Sequence, residues 1–411
     1  MSARNPTAPM RLVIFLNNKL GSCDTVTPFV VDLNANNKHV SAEFITFDWN
    51  TYKNIQRNTV LADAIKTVGR LRYLGSGQKG SSLWRPIRRL KSAVEILRYL
   101  FLAIRNDVTV LHFKELNEWP LRIFDSVAHR RVFLIQGAAF GYGGLEKEAS
   151  DMMKQRRYSK SKPVGAGFVF FHSDWAPLTD PRTVDIPRLC VPPPFIVSTW
   201  RKYIDSVAPG YLRETFQNAR IENHSASQPE YVVFILTWLG PSGILREEHL
   251  FPRLFEQTLA SLARAECSLP ILVKPHPASR PQELKDIERK LSDARQLYGL
   301  QIASCHLHPS VLASNAKFAI GNCYSTTFSI FRHYGVPTIE FTDYRPDILL
   351  KTRSGSIRPE FVSEFINRDA EILVHVLRRN LMASVRSEYC SPVESQGKQL
   401  LEFFSSPKPT I

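Results

Sequence analysis

The chain has 411 residues, 44% of them hydrophobic and 22% charged, and a formal net charge of +15. That length suits two domains of about 200 residues each, and the composition excludes disorder outside the two ends. Six cysteines are scattered without a CxxC pair, which argues against a zinc site or a disulfide framework and for a reducing compartment.

Residues 1–10 lack the basic n-region and long apolar h-region of a secretory signal, so the expected location is the cytoplasm. No stretch reaches the roughly 18 apolar residues of a membrane span. Arg11–Leu16 is a continuous apolar run that suits a first buried strand of a parallel sheet. A helix is expected over Thr27–Leu33, a second strand over Val40–Phe47, and a flexible loop over Gly75–Gly80. Lys66–Arg105 then carries ten basic residues against the single acid Glu95, most of them on a helix expected over Trp84–Arg105. Such a segment fits an anionic membrane surface, an acidic polymer or a solvated helix face. Nucleic acid is not expected, because no recognised binding motif accompanies the charge.

Short apolar strands follow at Val108–Phe113, Arg131–Gln136 and Phe168–Phe171, with a helix over Asn117–Ala128. The glycine-rich Gly137–Gly144 follows the second of these strands and His172–Asp174 follows the third. The proline run Pro192–Pro194 is stiff and extended. In the second half strands are expected at Tyr231–Leu236, Leu269–Val273, Leu300–Ala303, Phe318–Ile320 and Pro337–Phe341. Helices alternate with them at Glu247–Arg264, Pro281–Leu297, Pro309–Ser314 and Thr326–Tyr334. This alternation is that of an α/β protein with two Rossmann-like domains. The expected boundaries are 1–195 for the first domain, 196–223 for a passage containing helix, 224–385 for a nucleotide-binding domain, and 386–411 for a polar tail.

Two loops in the second half are suited to a phosphate. Lys274-Pro275-His276-Pro277 follows a strand, and the two prolines hold His276 in extended backbone. His276 there donates to a phosphate oxygen, or else serves as a turn histidine capping a carbonyl. Lys274 adds charge or snorkels. The other loop, Gly321-Asn322-Cys323-Tyr324-Ser325-Thr326-Thr327, also follows a strand and opens a helix. Its hydroxyls and free N–H groups make an anion site or an ordinary N-cap.

The order Thr237-Trp238-Leu239-Gly240, then Lys-Pro-His-Pro, then the Ser/Thr cluster, then Tyr334-Gly335-Val336-Pro337, resembles bacterial sialyltransferases and polysialyltransferases of the GT-B fold. It is also similar to the capsule glycosyltransferases that use CMP-activated sugars. The resemblance covers Tyr231–Phe341 and is thin over the first half. It implies two Rossmann-like domains facing across a cleft, the first on the acceptor side. It implies a metal-independent, inverting transfer of sialic acid or a Kdo-like sugar from a CMP donor to a cell-surface glycan acceptor. His276, Pro277, Ser325, Thr326 and Thr327 would then contact the CMP phosphate, with Lys274, Asn322 and Gly240 beside them. No cofactor is implied beyond the donor itself. No DxD-type metal pair stands in a convincing loop, and Asp343 and Asp347 are not read as ligands.

One departure concerns the catalytic base. The family carries an acidic pair before glycine at the end of a first-domain strand, where this chain has Ile135-Gln136-Gly137. An amide has no useful proton affinity, so Gln136 cannot be that base. Asp174 and Glu146 are the candidates in its place, with Glu148 and His172 behind them. A CDP-glycerol or UDP-sugar donor is the nearest rival reading. A non-catalytic glycan- or membrane-binding component of capsule assembly is the rival of another class.

Overall fold

The computed structural model describes residues 9–16, 20–75, 85–113, 121–136, 165–171, 187–221, 230–236, 250–277, 279–323, 325, 327–346, 361–383 and 392–405. The chain divides into two compact units. The first takes Met1–Ala138, Leu145–Arg201 and Val393–Ile411, and the second takes Lys202–Pro392 with Ala139–Gly144.

In the first unit seven parallel strands, β1 (Met10–Phe15), β2 (Val40–Thr46), β3 (Gly69–Tyr73), β4 (Thr109–Phe113), β5 (Val132–Gln136), β6 (Gly167–Phe170) and β7 (Arg188–Cys190), run in the order β3-β2-β1-β4-β5-β6-β7. Strand order reverses between β1 and β4, as in a doubly wound fold. The helices are α1 (Leu20–Asn36), α2 (Trp49–Arg57), α3 (Thr59–Val68), α4 (Arg85–Ile104), α5 (Leu121–Ala128) and the start of α6 (Ser198–Asn218). The two short helices α2 and α3 are capped by side chains: Asp48 accepts from the Thr51 N–H and Asn58 from the Leu61 N–H.

Part of the positive charge of Lys66–Arg105 is neutralised inside this unit. Arg70 and Arg72 on β3 reach Glu43 on β2 at 2.8 and 3.2 Å, and Arg72 reaches Glu95 on α4 at 3.0 Å. Arg72 also donates to the Tyr99 hydroxyl at 2.5 Å, and that hydroxyl donates to Glu43. Burial opposes ionisation of Glu43, but the hydrogen bonds from Arg70, Tyr99 and Arg72 outweigh it and hold the carboxyl at about 2. Burial, followed by the Glu43 charge, lifts Tyr99 to about 12. This network fixes the inner side of α4 on the edge of the sheet.

The stretch expected as a polar tail returns to the first unit. There α12 (Gly397–Ser405) packs on α1. The buried Asp32 of α1 accepts from the Thr199 hydroxyl at 2.7 Å, the Ser395 hydroxyl at 2.6 Å and the Gln396 N–H at 3.0 Å. Phe404 meets Phe133 edge-on at 4.8 Å and Phe29 at 6.1 Å. A Cβ on Gly397 would lie 2.6 Å from the Asp32 carbonyl, so only glycine lets the two helices approach this closely. The sequence of 386–411 hid this docking because its apolar residues, Leu400, Leu401, Phe403 and Phe404, are few and sit among polar ones.

In the second unit six parallel strands, β8 (Tyr231–Ile235), β9 (Ile271–Lys274), β10 (Ile302–Ser304), β11 (Ala316–Gly321), β12 (Thr338–Thr342) and β13 (Glu364–Asn367), run in the order β10-β9-β8-β11-β12-β13. Around them are α7 (Leu250–Arg264), α8 (Pro281–Tyr298), α9 (Pro309–Ser314), α10 (Thr327–His333) and α11 (Ala370–Met382). All five residues of β8 are buried, which explains its unbroken apolar run. α6, which occupies most of the passage expected over 196–223, buries Ala208, Leu212 and Phe216 at a spacing of four. The described cysteines, Cys23, Cys190, Cys267, Cys305 and Cys323, are free thiols. Among the described residues no helix is long and apolar enough to cross a membrane.

Phe404 is fully buried, so Phe404→Ala is expected to destabilise the first unit by roughly 3–5 kcal/mol. Calorimetry resolves this as a lowered transition for the first unit with that of the second unit unmoved. A shift common to both transitions, or none, contradicts the docking of α12.

Candidate functional site

The site is built from the register of three strands. Ile235 at the end of β8 pairs with Lys274 at the end of β9 on one side and with Gly321 at the end of β11 on the other. With strands about 4.8 Å apart, the two phosphate-type loops leave the sheet roughly 10 Å from one another. They do not leave adjacent strand ends, because β8 lies between them. The reversal of strand order falls between β8 and β11, which places both loops on the rim of the crevice where open α/β sheets hold ligands.

In the first loop Lys274 is buried, and its ammonium donates to the Leu307 carbonyl at 3.0 Å. It thereby ties the end of β9 to the loop after β10. Pro275 is buried and His276 half-buried. The His276 carbonyl accepts from the Ser279 N–H at 2.9 Å, which closes a turn before α8. Burial, and then the charge of Lys274, lowers the imidazole to about 4. His276 is therefore neutral near pH 7 and offers one N–H. The Lys274 charge acts on His308 as well: burial first, then that ammonium, takes it to about 3. His308 accepts the Ser310 N–H at 3.1 Å and caps α9.

In the second loop Ser325 accepts the Thr327 N–H at 3.2 Å through its hydroxyl, and its carbonyl accepts the Phe328 N–H at 3.0 Å. It is thus an N-cap of α10, and its own O–H proton is still available to donate. Thr327 is the first residue of α10 and half-buried. Asn322 points inward: its amide donates to the Thr258 hydroxyl at 2.8 Å, the Phe341 carbonyl at 3.2 Å and the Leu254 carbonyl at 3.5 Å. It pins the end of β11 to α7 and β12. Gly321 is tightly enclosed, since an added Cβ would lie 3.0 Å from the Phe328 ring and 3.1 Å from the Ile235 carbonyl.

The structure thus brings Lys274, His276, Pro277, Asn322, Ser325 and Thr327 to one edge of the second sheet. It engages Lys274 and Asn322 within the unit and leaves His276, Ser325 and Thr327 partly exposed. Thr326, Gly240, Glu146, Glu148, His172 and Asp174 lie outside the described residues. Gln136 ends β5, as its sequence position suggests. Sequence reading passed over Glu340, which is buried on β12 level with Gly321 and accepts the Tyr344 hydroxyl at 2.6 Å. A lone acid inside the short run Thr-Ile-Glu-Phe-Thr was the signal. Asp343 is paired with Arg253 and Arg368.

No known protein-family profile and no curated protein matches the sequence. Solved structures do. A UDP-GlcNAc 2-epimerase of Methanocaldococcus jannaschii, in complex with UDP-GlcNAc and UDP, superposes with a TM-score of 0.54 at 11% identity, covering 96% of this chain and 99% of that one. UGT73P12 of Glycyrrhiza uralensis, complexed with glycyrrhetinic acid 3-O-monoglucuronide, superposes at 0.53 with 8% identity, covering 97% and 96%. The chain has the GT-B fold. At such identities the likeness carries architecture alone, and one of the two neighbours is an epimerase. Within the GT-B fold the chemistry has to be argued from the residues at the crevice.

Asn322→Ala removes three donor contacts from the buried interior of the second unit. It is expected to lower that unit's stability by roughly 2–3 kcal/mol, whereas His276→Ala at a half-buried turn changes it by less than about 1 kcal/mol. Urea unfolding of each variant measures both, and equal costs would contradict the buried, hydrogen-bonded role of Asn322.

Proposed function

We propose that the protein is a glycosyltransferase that draws a sugar from a nucleotide-activated donor held at the carboxyl edge of its second sheet. The observation that supports this is that the His276 and Ser325 loops leave the same carboxyl edge of the sheet, on either side of β8 and beside the reversal of strand order. The neutral imidazole N–H of His276, the Ser325 hydroxyl and the Thr327 hydroxyl are donors suited to a phosphate, with Lys274 supplying fixed positive potential from beneath. In the transfer a carboxylate takes the proton of the acceptor hydroxyl, whose oxygen attacks the anomeric carbon. The bond from that carbon to the phosphate oxygen breaks, the nucleotide leaves carrying the bonding electrons, and the anomeric configuration inverts. Asp174 and Glu146 are the proposed bases, and a surface glycan is the proposed acceptor.

The motif order Lys-Pro-His-Pro and Ser/Thr favours a CMP donor bearing sialic acid or a Kdo-like sugar. A UDP-sugar is supported as strongly, since the archaeal neighbour of the same fold was solved with UDP-GlcNAc and UDP. Incubation with CMP-sialic acid, CMP-Kdo, UDP-GlcNAc and UDP-glucose, with and without glycan acceptors and a chelator, decides the donor and any need for metal. Loss of one charge-assisted hydrogen bond predicts that His276→Ala weakens donor binding about 10-fold to 100-fold. Turnover of none of the four donors, together with nucleotide binding that is unchanged in His276→Ala, refutes the enzyme and favours a non-catalytic glycan-binding role. Asp174→Asn or Glu146→Gln is expected to abolish transfer while sparing donor binding.

The depressed pKa of His276, about 4 in the free protein, gives donor binding a signed pH dependence. A bound phosphate anion favours the imidazolium, so the pKa is higher in the complex and binding takes up a fraction of a proton. Affinity therefore rises as pH falls from neutrality toward about 4 and levels off below it. Titration calorimetry in buffers of differing ionisation enthalpy, with a sugar nucleotide whose phosphodiester does not titrate there, reads the uptake. Its persistence in His276→Gln would assign the proton elsewhere.

A further inference from the structure

α4 is apolar on two opposite sides. The inner side places Ile96, Tyr99 and Ala103 in the core of the first unit, each no more than 2% exposed, alongside Phe15 and Val110. The outer side carries Ile87, Leu90, Val94, Leu97, Phe101 and Ile104, all 52–67% exposed. Their spacing alternates three and four residues, which stacks them in one stripe about 26 Å long at 1.5 Å per residue. α5 packs beside α4 and exposes Ile123 and Val127, four residues apart on one face. A soluble surface rarely carries so many large apolar side chains together unless something covers them. The Tyr99–Arg72–Glu95–Glu43 network holds the inner side in place, so α4 cannot roll the stripe inward without breaking these half-buried ion pairs and unpacking Ile96, Tyr99 and Ala103.

Charge selects the occupant. One edge of the stripe is lined by the exposed Lys91, Arg98 and Arg105, one residue beyond Leu90, Leu97 and Ile104. In an antiparallel pairing of two copies these cations would face one another. In a parallel pairing they would face Pro86, Ala93 and Leu100, none of which is acidic. A second copy of this chain, with net charge +15, is therefore disfavoured. A helix with an apolar face bordered by Lys and Arg instead matches the interface of a bilayer bearing anionic headgroups. Arg98 reaches Glu95 at 3.3 Å, a carboxylate that Arg72 also holds, whereas Arg105 reaches the exposed Asp107 at 3.4 Å, and the two exposed guanidinium groups share their solvent-screened pairs with water and can turn to phosphate.

We infer that the outer face of α4, with Ile123 and Val127 of α5, docks the protein in the plane of an anionic phospholipid bilayer, the apolar stripe entering the acyl boundary and Lys91, Arg98 and Arg105 meeting the headgroups. The inference does not depend on the identity of the donor.

Sedimentation of the full chain with vesicles tests it, using phosphatidylcholine alone and phosphatidylcholine with about one third phosphatidylglycerol. The wild type is expected to sediment with the anionic vesicles, and Leu90→Glu with Leu97→Glu to reduce the bound fraction at least tenfold. Lys91→Glu with Arg98→Glu is expected to lose the preference for anionic over neutral lipid. All four positions are exposed, so thermal unfolding of both variants serves as the folding control, and donor turnover in lipid-free solution is expected to be unchanged. Failure of the wild type to bind anionic vesicles overturns the inference, as does equal binding by Leu90→Glu with Leu97→Glu. A wild-type dimer that this variant splits into monomers, without vesicle binding, would assign the stripe to a second copy instead.

Discussion

The backbone hydrogen bonds that hold β8 between β9 and β11 set the position of every residue at the carboxyl edge of the second sheet. In a parallel sheet all strands end on the same side, so loops far apart in sequence emerge along one line. Lys274, Ile235 and Gly321 stand level with one another in that line. A slip of one residue in either pairing would exchange the faces on which side chains point and set core residues such as Val273 and Ile320 against packing shaped for their neighbours. The burial of both faces of β8 makes such a slip costly, and the site inherits its precision from the core beneath it.

The electrostatics of the edge follow from burial and from a single ammonium within it. Burial keeps two neighbouring imidazoles, His276 and His308, in the neutral form, and the charge of Lys274, anchored through the Leu307 carbonyl, acts in the same direction. One of these is spent on capping α9, and the other lies at the partly exposed turn. Positive potential is thus stored one layer below the surface, with neutral donors above it. That arrangement avoids adjacent cations at the edge.

Much of this could be read from the sequence, and the limits have physical causes. Central strands such as Tyr231–Ile235 are buried on both faces and so appear as unbroken apolar runs. Edge strands do not: β3 reads Gly-Arg-Leu-Arg-Tyr because its arginines are matched by Glu43 from the next strand, a partner invisible to local pattern. The two phosphate-type loops were legible, but their separation by β8 was not, because strand order depends on where the chain crosses over. Asn322 looked like a ligand-facing amide, and only the fold reveals that Thr258, Leu254 and Phe341 surround it. The charge on Lys66–Arg105 was plain in the sequence. That α4 within it is apolar on both sides emerges only when burial separates Ile96, Tyr99 and Ala103 from the residues between them.

The return of α12 to α1 makes the second unit an insertion within the first. During synthesis, Asp32 waits for Ser395 and Gln396, and Phe29 and Phe133 wait for Phe404, until some 360 further residues have followed α1. The second unit is continuous from Lys202 to Pro392 apart from one short segment, so it can close its sheet while the first is still open on one face. The order of completion along the chain is therefore the reverse of the order in which the two units begin. For that interval the apolar side chains of Phe29 and Phe133 that α12 covers stay in water.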